Sequence, residues 1–194
     1  MLRRFYACAI VIALAGAMTP ALAEEAHVAP VKKAVQAKVM SWLADPAMVS
    51  AIKAQNQKNS GLSQADVDKL DKQWRAEVKS GGGPLSQGVL SNALSAFLKK
   101  VKTDSAGLFT EIFVMDNKGL NVGQSDLTSD YWQGDEGKWK KTFLVGPGTV
   151  FVDKVQKDES TQALQSQASV SIVDPATNQV IGAVTVGINV DRIE

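Results

Sequence analysis

An α+β domain is what this chain predicts, from three observations. The apolar residues of its front half recur at helical spacing, those of its back half alternate with a period of two, and a long polar and aromatic segment separates strands within that second half. Helices gathered ahead of about five antiparallel strands pack on one face of one sheet, instead of alternating with parallel strands.

The chain opens on Arg3 and Arg4, an apolar run from Ile10 to Leu14, and Ala21-Leu22-Ala23 before Glu24. That is the form of an export signal cleaved near Ala23, since the run is too short to anchor in a bilayer and ends in a small-x-small motif. The polar residue that completes a twin-arginine pattern is missing, so ordinary secretion is the expected route. Cys8 lacks the small residues of a lipobox before it. The expected organisation is 1-23 signal, 24-106 helical region and 107-194 sheet of the same domain, located in the periplasm or secreted. Removing 23 of 194 residues leaves 171, without the one cysteine, and so without disulfide or thiolate chemistry. The signal carries two of the 21 basic residues and none of the 20 acidic ones, which leaves 19 against 20. Neither nucleic acid nor an anionic membrane surface is favoured as a partner, and the mature chain is expected to carry no membrane anchor.

From Pro30, the spacing of Val31, Val35, Val39, Trp42 and Leu43 predicts a first helix. Asp45-Pro46 ends it and caps a second, which carries Val49 and Ile52 and stops at Asn59-Ser60-Gly61. Ser63, with Asp66 three residues on, opens a third helix with Val67, Leu70, Trp74 and Val78 on one stripe. Gly81-Gly82-Gly83-Pro84 breaks the chain, and a fourth helix from Ser86 carries Leu90, Leu94, Phe97, Leu98 and Val101. Trp42 and Trp74 both fall on these stripes and are expected in the core.

After Gly107 the period becomes two, with Thr110, Ile112 and Val114 on one side and Phe109, Phe113 and Met115 on the other. Asp116-Asn117-Lys118-Gly119 turns a hairpin into Leu120-Asn121-Val122. Further strands read at 143–145, 149–155, 164–173 and 180–190, and 174–178 turns the last two. In the final strand Val184, Val186, Ile188 and Val190 share one face, and Ala183, Thr185, Gly187 and Asn189 the other. The preceding strand repeats this, with Ala168, Val170 and Ile172 opposed by Gln165, Gln167, Ser169 and Ser171. The apolar face is expected against the helices. The small polar face is left to solvent or to a cover.

The segment Ser125 to Trp139, S-D-L-T-S-D-Y-W-Q-G-D-E-G-K-W, holds four carboxylates, two tryptophans, a tyrosine and an amide. Aromatic faces supply contact area, while carboxylates, hydroxyls and an amide supply orientation, which is the chemistry of a small-molecule pocket. It is too long for a tight turn.

The run E-I-F-V-M-D-N-K-G-L-N-V, this insert, then V-Q-K-D-E-S-T and a closing V-I-G-A-V-T-V-G-I-N-V together resemble the Cache (PDC) superfamily of extracytoplasmic sensor domains. The resemblance spans most of Val31 to Val190. It implies a PAS-like antiparallel sheet preceded by long helices, with a ligand held between the sheet and the connection of its second and third strands. By position that connection is Ser125 to Trp139. Ligands implied are amines, amino acids or carboxylates. Only four residues follow Val190, so signalling through a separate membrane-bound receptor or kinase is expected.

The candidate ligand-binding residues are Asp130, Asp135 and Glu136, whose bunched charge suits an ammonium group, and Tyr131, Trp132 and Trp139, which suit a cation as an aromatic wall. Gln133 adds an amide, and Ser169 and Thr185 are the facing hydroxyls of the sheet. Each has a plainer reading: a solvated acidic loop, or tryptophans that pin that loop. Ser125, Thr128 and Ser129 bond a ligand or cap turns, and 158–161 close the pocket or form an N-cap-like turn. Asp126, Asp130, Asp135 and Glu136 lack the alternating spacing of a calcium loop. His27, the one histidine, lies in an N-terminus expected to be flexible. Without a histidine-based triad, thiolate, phosphate loop or metal cluster, catalysis lacks materials; neither cofactor nor metal is expected. The leading expectation is a soluble exported sensor domain. A ligand-free interaction module of the envelope is the alternative, and a carboxylate-based hydrolase comes third. A homodimer through the first helices stays open.

Overall fold

The computed structural model describes residues 25–157 and 162–193; the expected signal and the 158–161 junction lie outside them. The chain forms α1 (Val28–Lys38), a 3-10 turn at Met40–Trp42, α2 (Pro46–Lys58), α3 (Gln64–Lys79), α4 (Pro84–Leu90) and α5 (Ala93–Asp104). Strands β1 (Phe109–Met115) and β2 (Asn121–Gln124), the short α6 (Gly137–Lys140), then β3 (Val150–Lys157), β4 (Leu164–Asp174) and β5 (Gln179–Asn189) follow, with a 3-10 turn at Val190–Arg192. This is the α+β, PAS-like arrangement: one antiparallel sheet in the order β2-β1-β5-β4-β3. No described helix is long and apolar enough to cross a membrane.

The helix boundaries follow their caps. Asp45 accepts hydrogen bonds from the Ala47 and Met48 amides, with Pro46 at the first helical position. Ser63 and Asp66 cap each other's backbone at the start of α3. One helix was predicted from Ser86, but two form. Asn92 takes the Ser95 amide on its side-chain oxygen and donates to the Val122 carbonyl, so it caps α5 and bends the chain onto β2.

The α3–α4 joint is held by Glu77, which accepts the Leu85 and Ser86 amides and the Gln73 side chain. Burial pushes its carboxyl up, but these donors outweigh it and hold the group at about 2. The bonded carboxylate thus supports the fold above its ordinary 4.5 and loses that contribution as pH falls toward about 2. Glu77→Gln is expected to lower stability at pH 7 and to flatten its fall between about pH 4.5 and 2, read by urea unfolding at stepped pH.

The main core lies between α1, α2, α5 and the apolar sheet face: Val31, Val35, Met48, Ile52, Leu94 and Leu98 meet Ile112, Val114, Val170, Val184 and Val186. Phe109 joins this face, not that of Phe113 and Met115 as simple alternation predicts. A bulge explains it, because Phe109 pairs with Ile188 and Glu111 with Gly187, so the register gains a residue at Thr110. A side chain on Gly187 would strike Thr110, Gln165 and Glu111, so only glycine fits beneath the bulge.

The strand predicted at 143–145 is a turn. Phe143 and Val145 bond back to Trp139 and Thr142, continuing α6, and Leu144 and Val145 are exposed. The His27 ring bonds the Asp153 carbonyl at 2.9 Å and ties the start of α1 to β3.

Candidate ligand site between the sheet and the insert

The polar sheet face is built in rows by strand register. Gln124, Phe113, Thr185, Ser169 and Phe151 lie side by side across five strands, and Glu111, Gly187 and Gln167 form the next row. Ser169 and Thr185 are fully buried and hydrogen-bond each other at 2.9 Å. Two glutamine amides, Gln165 and Gln167, donate to Glu111 Oε1 at 3.1 and 2.8 Å.

The insert divides in two. Its first part zips along the hairpin: the Asn121 amide donates to the Tyr131 carbonyl, Leu120 bridges Trp132, and the Gln133 amide donates to the Gly119 carbonyl. Gly119 turns here with φ +82°, and a Cβ on it would sit 2.6 Å from Gly134. From the other side, Asp71 on α3 accepts the Tyr131 and Trp132 amides on one oxygen and Arg75 Nε on the other. Tyr131 stacks on Trp74 with ring centres 5.1 Å apart, and Trp74 Nε1 donates to the Thr128 carbonyl. Trp132 donates to the Lys118 carbonyl. Burial pushes the Tyr131 hydroxyl up. Burial also raises the Asp130 carboxyl, against the opposing pull of Arg75, whose Nη1 lies 2.7 Å away. Asp130, Tyr131 and Trp132 therefore belong to the α3 and hairpin side.

The second part is α6, which lies over the sheet rows. Trp139 stacks on Phe143 at 4.8 Å, and the pair covers Phe113, Met115 and Ala183. Lys138 Nζ sits 5.4 Å over the Phe113 ring, 2.9 Å from Glu136 and 3.2 Å from Gln133 Oε1, with its side chain 12% exposed. Gln133 is buried, and Asp135 is exposed. Of the candidates, Gln133, Glu136 and Trp139 are thus gathered around Lys138, and Trp139 reaches the sheet floor that carries Ser169 and Thr185.

Residues the sequence reading passed over complete the site. Asn121 and Gln124 are fully buried where the insert meets β2. Asn121 donates to Gln124, Thr128 and the Asp130 carbonyl, yet Asn121 Oδ1 and Gln124 Nε2 have no partner. The signal available for them was two amides placed three residues apart in an otherwise apolar strand. Lys138, Glu111 and Asp71 lacked even that, since each is one charged residue among many. Among the described residues no group of three or more histidine, cysteine or carboxylate side chains is placed to hold a metal.

No protein-family model and no curated protein matches the chain. Among solved structures it is similar to the sensor domain of the V. cholerae histidine kinase DctB, at 12% identity and a TM-score of 0.48 over 86% of this chain and 51% of that one. It is also similar to the ligand-binding domain of the Campylobacter jejuni chemoreceptor Tlp3 in complex with 4-methylisoleucine (13%, 0.39, 89% and 63%) and to the E. coli DcuS sensor domain (19%, 0.39, 65% and 92%). The chain spans about half the length of the DctB domain.

Proposed function

We propose that this is an exported sensor domain that binds a small polar metabolite between the polar sheet face and the insert, and reports the bound state to a separate membrane-bound receptor or kinase. The observation that carries the reading is the pair of buried, unpartnered amide atoms on Asn121 and Gln124, because folded proteins rarely leave such groups unsatisfied. The charges beside them favour an amino acid. Glu111 takes only amide donors and so retains capacity for an ammonium group, while Lys138, over the adjacent Phe113, suits a carboxylate. A ligand here would act by favouring one arrangement of α6 over the sheet.

Thermal shift against a panel of amino acids, amines and carboxylates is the test, since a ligand at a hundred times its Kd stabilises by about 2.7 kcal/mol. An amino acid is expected to raise Tm, Glu111→Gln to remove the response to amines, and Lys138→Gln the response to carboxylates. A flat response across the panel sinks the reading.

A second reading has its own support: the Trp139–Phe143 stack packs on Phe113, Met115 and Ala183 of the sheet floor, where a ligand would lie. In that case the domain is a ligand-free docking module, and Asn121→Leu with Gln124→Leu raises Tm without altering any response to the panel.

A further inference from the structure

A half-open cavity of about 470 Å³ lies between α1, the loop after α5 and the C-terminal turn. It runs on at either end into neighbouring depressions that share Lys33 and Ile193 with it on one side and Lys38 and Leu108 on the other. The floor is apolar: Ala34 and Ala37 lie on one stripe of α1, opposite Leu108 and Ile193. Lys33 and Lys38 border that stripe, and Arg192 enters from the C-terminal turn. The local backbone sets Arg192 in place. After α5, Ala106 (φ +51°) and Gly107 (φ +86°) turn left-handed, and the Ala106 carbonyl accepts Arg192 Nη1 at 3.2 Å while the guanidinium packs over Gly107. Among the described residues no carboxylate lines this cavity, Asp104 bordering only the depression that shares Lys38, and none of the three cations is in an ion pair.

We propose that this groove binds an anionic amphiphile, with a phosphate or carboxylate head held by Lys33, Lys38 and Arg192 and an aliphatic portion laid along Ala34, Ala37, Leu108 and Ile193. Three like charges around one concavity focus a positive potential that an anion relieves. The alanine stripe and the two branched residues offer apolar area that a bare ion would leave uncovered. Arg192, already fixed by one hydrogen bond, keeps further donors for a forked contact with an oxyanion. The inference is independent of the sheet-face site.

Titration calorimetry with hexyl phosphate, inorganic phosphate and hexanol tests it, alongside sedimentation with phosphatidylglycerol vesicles. Hexyl phosphate is expected to bind, and the triple variant Lys33→Gln, Lys38→Gln, Arg192→Gln to weaken it by about tenfold or more, the loss of one or more charge-assisted contacts. All three residues are exposed, so Tm is expected to hold. Ala37→Glu, which sets a carboxylate on the floor, is expected to weaken binding as well. Vesicle binding without hexyl phosphate binding, lost in both variants, also supports the proposal and identifies a bilayer as the source of the amphiphile. Inorganic phosphate or hexanol binding as tightly as hexyl phosphate overturns it, as does binding unchanged in both variants or no binding to either amphiphile.

Discussion

Asp116→Ala is expected to cost on the order of 3–5 kcal/mol and to lower Tm by about 10 °C or more. Asp116 is fully buried at the first position of the hairpin turn. Its Oδ1 accepts the Lys118 and Leu120 amides, and its Oδ2 accepts the side-chain amides of Gln55 and Asn59 from α2. Truncation leaves the Lys118 and Leu120 amides and the Asn59 side chain without this acceptor, while Gln55 keeps its bonds to the Leu120 and Asn121 carbonyls. The loss also has a direction: it loosens the hairpin tip against α2, where Gln55 still holds the Leu120 and Asn121 carbonyls and Asn56 the Asn117 amide, and so the Gly119–Asn121 edge on which the insert is zipped. Asp116→Asn keeps the turn but points an amide at two donors, so its cost should fall between wild type and alanine. Chemical denaturation of both variants checks the order. Equal stability of alanine variant and wild type would mean that these bonds contribute nothing net.

Trp74→Ala follows, at about 3–5 kcal/mol for removing a fully buried indole. The ring fills the junction of α3, α4 and the insert, beside Val67, Val89, Leu120 and Tyr131. Its loss removes the stacking partner of Tyr131 and the donor to the Thr128 carbonyl together. The sheet and its helical cover do not depend on this cluster, so local unfolding should be concentrated in 125–139. Hydrogen exchange is the decisive measurement: fast exchange at the Tyr131 and Trp132 amides with β4 and β5 still protected is the expected pattern. Uniform loss of protection across the sheet would show instead that the insert and the main core unfold as one unit. Trp74→Phe restores the stack but not the donor, and should recover more than half of the loss.

Fold class, strand identity and the division of the sheet into an apolar and a polar face were legible because each rests on a local period. Val184, Val186 and Ile188 alternate with Ala183, Thr185 and Gly187 whatever surrounds them. What was misread depended on contacts distant in sequence. The Thr110 bulge moved Phe109 to the other face because Gly187 and Gln165 lie opposite it, some fifty to eighty residues later. Asn92 split a helix of continuous apolar spacing because the Val122 carbonyl was there to receive it. The 143–145 run has the composition of a strand but bonds back to Trp139 and Thr142, as a continuation of α6. The site divides in the same way. The composition of the insert singled it out as a candidate, yet its first half is drawn to α3 by Asp71, one carboxylate oxygen of which collects two backbone amides from sixty residues away. Nothing in the pattern of α3 distinguishes that aspartate from its neighbours Asp66 and Asp68.

The strand order has a temporal consequence. β5, the last strand, occupies the middle of the sheet: it pairs with β1 on one side and β4 on the other, joining Phe113 to Thr185 across 72 residues. As the chain emerges from a ribosome or threads through a translocation pore, the helices and the β1–β2 hairpin appear first, with no complete platform to cover. Closing so long a loop costs entropy before any sheet contact compensates it, which slows folding and makes it a late event. The apolar faces of β1 and β4 then stay unjoined until Gln179–Asn189 is in place. Removing β5 alone therefore takes out the centre of the sheet, not an edge, and leaves β1 and β4 without their common partner.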